Sequence, residues 1–341
     1  MAAYTTIDDP SAYFKVQLYT GDGSTQAITF DDTDTDMQPD LVWLKDRATS
    51  TAYESIEVSY KLYDAVRGTT KFLSSNVNGA EGTESGVTAF GSDGFTLGSA
   101  AGTNANTVTF VAWCWKESAT AGFDIVSYTG NGSARTISHS LSAVPHLIIV
   151  KNRDAADSWQ VYHGANTAAP ETDYLSLDVV TVTTDASDRW NDTAPTSSVF
   201  SLGAGAEVNT NTETYIAYAF APKQGFSKFG TYDGNGNADG PFIYLGFRPA
   251  FVLWKNAEYA ENWHIIDNER DTYNLAKNGL TPNENYPASD DANIQMDFLS
   301  NGIKIRSASH VTSNVSGNYY VYIAFAEAPF VNSNGVPCNA R

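Results

Sequence analysis

Four carboxylates, Asp31, Asp32, Asp34 and Asp36, fall within six residues of one another. Hard oxygen ligands spaced this closely are the chemistry of calcium binding. The run lacks the glycine and the terminal bidentate glutamate of an EF-hand loop, and it sits in an insertion. A solvated acidic loop is therefore the reading taken. Calcium is the one cofactor the sequence allows, and no other is implied. A second candidate is the pair Asp64 and Arg67, which recurs as Asp267 and Arg270, with His163 and Asn166 at the corresponding place between them. An arginine just after a strand clamps a loop through carbonyls or a carboxylate, or it meets a binding partner. The clamp is the expected role, with Arg67 and Arg270 as the binding candidates. Trp113 and Trp115 flank Cys114, so they share one face of a strand. Exposed, such a pair would stack on sugars; a buried sheet interior is the expectation. The five histidines, His139, His146, His163, His264 and His310, recur at no common position and show no zinc spacing, so they are read as surface or loop residues. Carboxylates are abundant enough for glycoside hydrolysis, but none is a glutamate shared by corresponding positions.

The elements that carry these residues are written three times. Tyr19-Thr-Gly-Asp-Gly23, Tyr128-Thr-Gly-Asn-Gly132 and Tyr232-Asp-Gly-Asn-Gly236 each precede a proline, an apolar run and a lysine. Those are Pro39 to Lys45, Pro145 to Lys151 and Pro249 to Lys255, an offset of six each time. The closing strands read Phe110-Val-Ala-Trp-Cys-Trp115, Tyr215-Ile-Ala-Tyr-Ala-Phe220 and Tyr322-Ile-Ala-Phe-Ala326, at 65, 64 and 67 residues beyond the lysine. On this alignment Trp113 and Trp115 correspond to Tyr218 and Phe220, and to Phe325 and Glu327. Spacings this regular point to one unit duplicated twice.

Each unit is roughly 100 residues, enough to bury its own core. Aromatics make up 13% of the chain, turn residues recur throughout, and no sustained helical period is visible. The expected fold is all-β: three tandem homologous β-sandwich domains, jelly-roll or lectin-like, with seven to nine short strands apiece. The boundaries are 1–12 for an N-terminal docking arm, 13–118, 119–223 and 224–330 for the three repeats, and 331–341 for a C-terminal tail. Gly21-Asp-Gly23 and its counterparts are read as hairpin turns. The all-apolar run after each proline is placed centrally in its sheet. Trp43, Tyr60, Trp113, Trp159, Trp254 and Trp263 form the expected core, with Tyr60, Trp159 and Trp263 equivalent and facing inward. Short linkers, Lys116 to Gly122 and Pro222 to Gly225, imply a compact row or triangle of domains.

A formal charge of −19 repels nucleic acid and anionic lipid, so no nucleic-acid partner is expected. Two cysteines exclude a disulfide framework. No secretory signal is visible and no apolar run reaches membrane-spanning length, so no membrane insertion is expected.

As a set, the opening Met1-Ala-Ala-Tyr-Thr-Thr-Ile-Asp-Asp-Pro10, the Tyr-Thr-Gly-Asn-Gly-Ser turn, Asp64-Ala-Val-Arg-Gly-Thr-Thr-Lys71, Phe90-Gly-Ser-Asp-Gly-Phe-Thr-Leu97 and Val111-Ala-Trp-Cys-Trp-Lys116 resemble a repeat of tailed-bacteriophage virion structural and tail-fibre-like proteins, especially marine ones. The second repeat departs by losing the Asp-x-x-Arg pair, the third by losing most of the Gly-Phe-Thr-Leu turn. The resemblance implies a non-enzymatic virion component, assembled in the host cytoplasm, with other virion proteins as partners and a host surface glycan or protein as receptor. A tail fibre or receptor-binding subunit is the expected role. A capsid or tail decoration protein is the alternative, and a surface-polysaccharide depolymerase the third. Phage fibres suggest a homotrimer, although three repeats in one chain can supply a threefold body by themselves.

Overall fold

The computed structural model describes residues 3–30, 35–47 and 59–338. The chain is all-β and sandwich-like, built of antiparallel sheets, and its few helices are single turns such as Ala101–Asn104. Three larger sheets share one strand order. In the first it runs Phe14–Thr20, Thr109–Trp115, Leu41–Asp46, Lys61–Asp64. In the second it runs Phe123–Thr129, Thr214–Phe220, Leu147–Asn152, Gln160–His163, extended by two short strands. In the third it runs Ser227–Asp233, Tyr319–Pro329, Phe247–Asn256, His264–Asp267. As the unbroken apolar runs predict, the lysine-ended strands lie inside their sheets and are buried on both faces.

One face of each large sheet meets a smaller sheet. Val42, Leu44, Tyr63, Ala112 and Cys114 pack against Ile28, Val87, Phe95 and Leu97 of the three-stranded sheet in the first segment. Ile148, Val150, Tyr162 and Ala217 likewise meet Ile137, Phe200 and Leu202 in the second. The opposite faces of all three large sheets share one core, containing Leu41, Trp115, Leu147, Phe220, Phe251 and Phe325. Those six line a cavity of about 30 Å³ walled by apolar side chains. The space has room for a water but offers it no polar partners, so it stays dry.

Polar contacts close the three segments into a ring. Trp159 Nε1 donates to Ser74 O at 3.0 Å, and Trp263 Nε1 to Ser176 O at 2.8 Å. The third seam joins the last segment to the first: Ser75 Oγ donates to Pro282 O at 2.8 Å. Tyr60, Trp159 and Trp263 are thus buried, as expected; the two tryptophans donate to backbone carbonyls of the neighbouring segment, while the Tyr60 ring stacks on Trp113 of its own segment. Trp43, Trp113 and Trp254 are buried as well.

The described part of the arm lies along the third segment. Thr5 Oγ1 donates to Gln224 O at 2.8 Å, Tyr4 Oη donates to Gly246 O at 2.9 Å, and Ile7 is buried. Ser333 of the tail donates its backbone N–H to Asp8 at 2.6 Å, so arm and tail meet.

Three expectations change. The glycine turns are not hairpins: Phe14–Thr20 and Gln26–Thr29 belong to different sheets. Gly21 N and Gly23 N donate to Val108 O and Asn104 O, so the turn is held by the approach to the closing strand and carries the chain between layers. The third closing strand is equivalent two residues earlier. Tyr320 pairs with Asn256 as Phe110 pairs with Asp46, and Phe325 with Phe251 as Trp115 with Leu41. Counted from Tyr320, the third distance from lysine to closing strand is 65 residues. The stacked pairs Tyr19–Phe110, Tyr128–Tyr215 and Tyr232–Tyr320, at 5.1, 5.1 and 4.9 Å, fix this register. Finally, His163 and His264 are buried strand residues, not surface ones.

Candidate functional site

The recurring Asp-x-x-Arg pairs are clamps at the seams of the ring. A carboxylate at a strand end accepts the backbone N–H and the Nε of the arginine three residues on, closing the turn locally. Asp64 does this for Arg67, at 2.8 and 2.5 Å, and Asp267 for Arg270, at 2.9 and 2.7 Å. Each carboxylate then accepts one donor from a neighbouring segment: Tyr218 Oη reaches Asp64 Oδ2 at 2.7 Å, and Trp113 Nε1 reaches Asp267 Oδ2 at 3.0 Å. At the third seam His163 Nε2 lies 3.1 Å from the Tyr322 carbonyl. The Arg67 and Arg270 side chains are 0% and 2% exposed, which places them in the interior and away from any ligand. Nearby, Glu81 joins the first two segments by pairing with Arg67 at 3.3 Å and Arg153 at 2.9 Å.

Lys45, Lys151 and Lys255 are completely buried. Lys45 pairs with Asp46 at 2.5 Å, while Lys151 donates to Asn152 O at 2.6 Å and Lys255 to Glu261 O. Burial pulls Lys151 and Lys255 down to about 8. None of the three has a route to a substrate, so they are structural.

A third repeated device escaped the sequence reading. Asn104, Asn209 and Asn314 are fully buried. Each amide Nδ2 donates to two carbonyls: Gly98 and Ser24, Gly203 and Ser133, Ser307 and Asn237. Each Oδ1 accepts a backbone N–H from the glycine turn, at Asp22, Asn131 and Asn235. Their signal was available: each asparagine stands six residues before the stacked closing-strand aromatic. The turn must be glycine at its start, because a Cβ on Gly21, Gly130 or Gly234 would lie 2.3, 2.1 or 2.2 Å from a carbonyl oxygen.

Asp31, Asp32 and Asp34 lie outside the described residues; Asp36 is exposed. Among the described residues no three His, Cys, Asp or Glu side chains are grouped to hold a metal. Burial holds His163 down to about 4 and His264 to about 3, so both are neutral. Between the first two segments, Glu117 is pushed up to about 7, first by burial and then by its hydrogen bond to Asp124. Trp113, Trp115, Tyr218 and Phe220 are buried, so the aromatic pairs of the closing strands form sheet interior.

The outer surface is less uniform than the interior. Among the described residues every exposed aromatic side chain belongs to the third segment: Phe242, Tyr244, Tyr259, Tyr273 and Tyr286. Phe242 and Tyr244 point outward from the strand Phe242–Tyr244, on either side of buried Ile243. The equivalent strands of the other segments, Gln26–Thr29 and Arg135–Ser138, show Ala27 and Thr29, and Thr136 and Ser138, at those places. Small or polar residues satisfy the fold there. The third segment departs from them by carrying two half-exposed rings, which makes this outer face the candidate binding site.

No curated protein and no solved structure matches the chain. No helix among the described residues is long and apolar enough to cross a membrane. One family model matches continuously from residue 9 to residue 329, across all three segments, and the chain therefore belongs to the family described as Domain of unknown function (DUF7483).

Proposed function

We propose that this chain is a non-enzymatic structural and binding component of a tailed-phage virion, mounted as a tail fibre or receptor-binding subunit and engaging the host surface through its third segment. The observation that carries the reading is the contrast between interior and surface. The clamps, asparagine cradles and stacked aromatics recur around the ring, whereas among the described residues exposed aromatics occur on one segment alone. A rigid scaffold with binding groups confined to one face is how recognition is usually mounted on β-sandwiches. In this reading the three segments are homologous tandem sandwich domains. Their shared strand order, the common tyrosine stack and the buried asparagine support one duplicated unit. The closed ring also supports a single chain as the functional threefold body, in place of a homotrimer.

The test is competition. Purified protein added to host cells before phage should lower adsorption in a saturable way. Protein that is folded and assembled as in the particle yet neither binds cells nor competes would shift the assignment to a capsid or tail decoration role. Release of reducing sugar from host envelope would instead indicate a depolymerase.

A further inference from the structure

The geometry points to the outer face of the third segment's small sheet as a stacking site for a neutral glycan, with Phe242 and Tyr244 as its platform. This rests on the host-binding reading for its biological meaning but not for its chemistry.

The sheet has three strands, in the order Phe242–Tyr244, Gly302–Ile305, Met296–Leu299. Ile243, Ile303 and Phe298 sit opposite one another and are buried. Alternation therefore turns Phe242, Lys304 and Asp297 outward in one row, and Tyr244, Gly302 and Leu299 in the next. Phe242 and Tyr244 are 46% and 48% exposed. Two residues along a strand separate them by about 6.6 Å, which suits adjacent sugar rings laid along the strand.

The rings are held before any ligand arrives. Tyr244 Oη lies 2.9 Å from Tyr4 Oη, and Lys228 Nζ sits 5.5 Å from the Tyr244 ring centre while donating to its carbonyl at 2.5 Å. The Phe242 ring leans over Gly302, where a Cβ would stand 3.1 Å from its Cε2. Covering a sheet glycine is a structural use for an aromatic ring. It does not explain this one: Gly94, equivalent to Gly302, pairs with Thr29 and has no exposed ring beside it.

The chemistry of the occupant follows from area and charge. Two half-exposed rings offer on the order of 200 Å². A stable protein interface needs roughly 800 Å² from each partner, so the platform is too small to seat another protein or a second copy. Two of the surrounding cations are already paired: Lys304 with Asp239 at 2.7 Å, and Arg306 with Asp297 at 3.5 Å. Lys228, beside the Tyr244 ring, is held by the Tyr244 carbonyl, and the chain's net charge of −19 repels an acidic sugar. A neutral pyranose presents C–H groups to the rings and hydroxyls to the rim of charged side chains.

The test uses the full chain and defined neutral probes: oligosaccharides of glucose, galactose, mannose, xylose and N-acetylglucosamine. Binding is read by saturation-transfer NMR and by titration. At least one probe should bind, with transfer concentrated on its C–H protons. The double variant Phe242→Ala with Tyr244→Thr installs the residues of the first segment. It loses the Tyr244–Tyr4 contact, but Tyr4 still donates to Gly246 O, so the variant should keep a cooperative thermal transition and lose at least tenfold in affinity. The variant Tyr244→Phe, which keeps both rings, should retain binding. A wild-type protein that binds no probe, or a double variant that binds as well as wild type, overturns the site. The same variants separate it from the host-attachment reading. Adsorption blocked equally by wild type and double variant keeps that reading and rejects this site. Glycan binding without any effect on adsorption keeps the site and rejects that reading.

Discussion

Tyr218 Oη and Asp64 Oδ2 stand 154 residues apart in the chain and 2.7 Å apart in the fold. The carboxylate is fully buried and already holds Arg67, so a tyrosine of the second segment completes the shell of an ion pair in the first. Burial of an ion pair is tolerable only when its remaining hydrogen-bonding positions are filled. The seam between segments and the integrity of the turn therefore depend on the same carboxylate.

Removing that phenol oxygen tests the coupling. Tyr218→Phe should cost about 1–3 kcal/mol in urea unfolding, because a buried acceptor loses its donor. Asp64→Ala should cost about 3–5 kcal/mol, because buried Arg67 loses its closest carboxylate and keeps only Glu81 at 3.3 Å. The two changes should not add, and a double-mutant cycle that gave simple additivity would show that the contact is incidental.

Tyr60 supplies the contrast. It is equivalent to Trp159 and Trp263 and faces the Thr281 backbone, but its hydroxyl has no well-formed hydrogen bond. Tyr60→Phe should thus leave stability within about 1 kcal/mol of wild type, whereas Trp159→Phe should lose roughly 1–3 kcal/mol by orphaning a buried carbonyl.

The asparagine cradles predict a shared cost. Asn209→Ala removes an acceptor for Asn131 N–H and a donor to two carbonyls, and should destabilise by about 3 kcal/mol. Asn104→Ala and Asn314→Ala should behave alike, as read by thermal unfolding at fixed pH.

Acid should weaken the fold through its buried histidines. Unfolded histidine titrates near ~6.5, whereas His163 and His264 are held down to about 4 and about 3. Below ~6.5 the unfolded chain takes up protons that the folded chain refuses, so stability falls as pH drops toward those values. Glu117 acts in the other direction. Its folded value is raised to about 7, so its contribution is present below the unfolded value near ~4.3 and is lost as pH rises through 7. His163→Asn should flatten the acid limb of a plot of urea midpoint against pH, and Glu117→Gln should flatten the opposing slope.

Calcium gives a direct check on the acidic loop. As a solvated loop, it should leave the melting temperature unchanged between chelator and millimolar calcium. A rise that grows with calcium concentration would assign a bound ion by mass action.

The framework was legible because its determinants recur. An apolar run closed by lysine sits inside a sheet each time, and the offset from proline to lysine never varies. The register of the third closing strand was not legible. Tyr320 and Tyr322 both begin an aromatic-rich run buried on each face, so side-chain type carries no phase information. His163 and His264 read as polar and hence exposed. Their burial follows from packing between segments, which no local pattern encodes. The exposed pair Phe242 and Tyr244 was missed for the converse reason: two aromatics around an isoleucine look like core until the equivalent Ala27 and Thr29 are set beside them.

The contact between arm and tail has a consequence for connectivity. Asp8 and Ser333 already touch, and the seam they flank is held by side chains as the other two are. The order in which the segments are synthesised is then of little importance to the finished molecule. A short bridge from tail to arm, with new ends opened in the linker between Lys116 and Gly122, should yield a circular permutant that folds to the same ring.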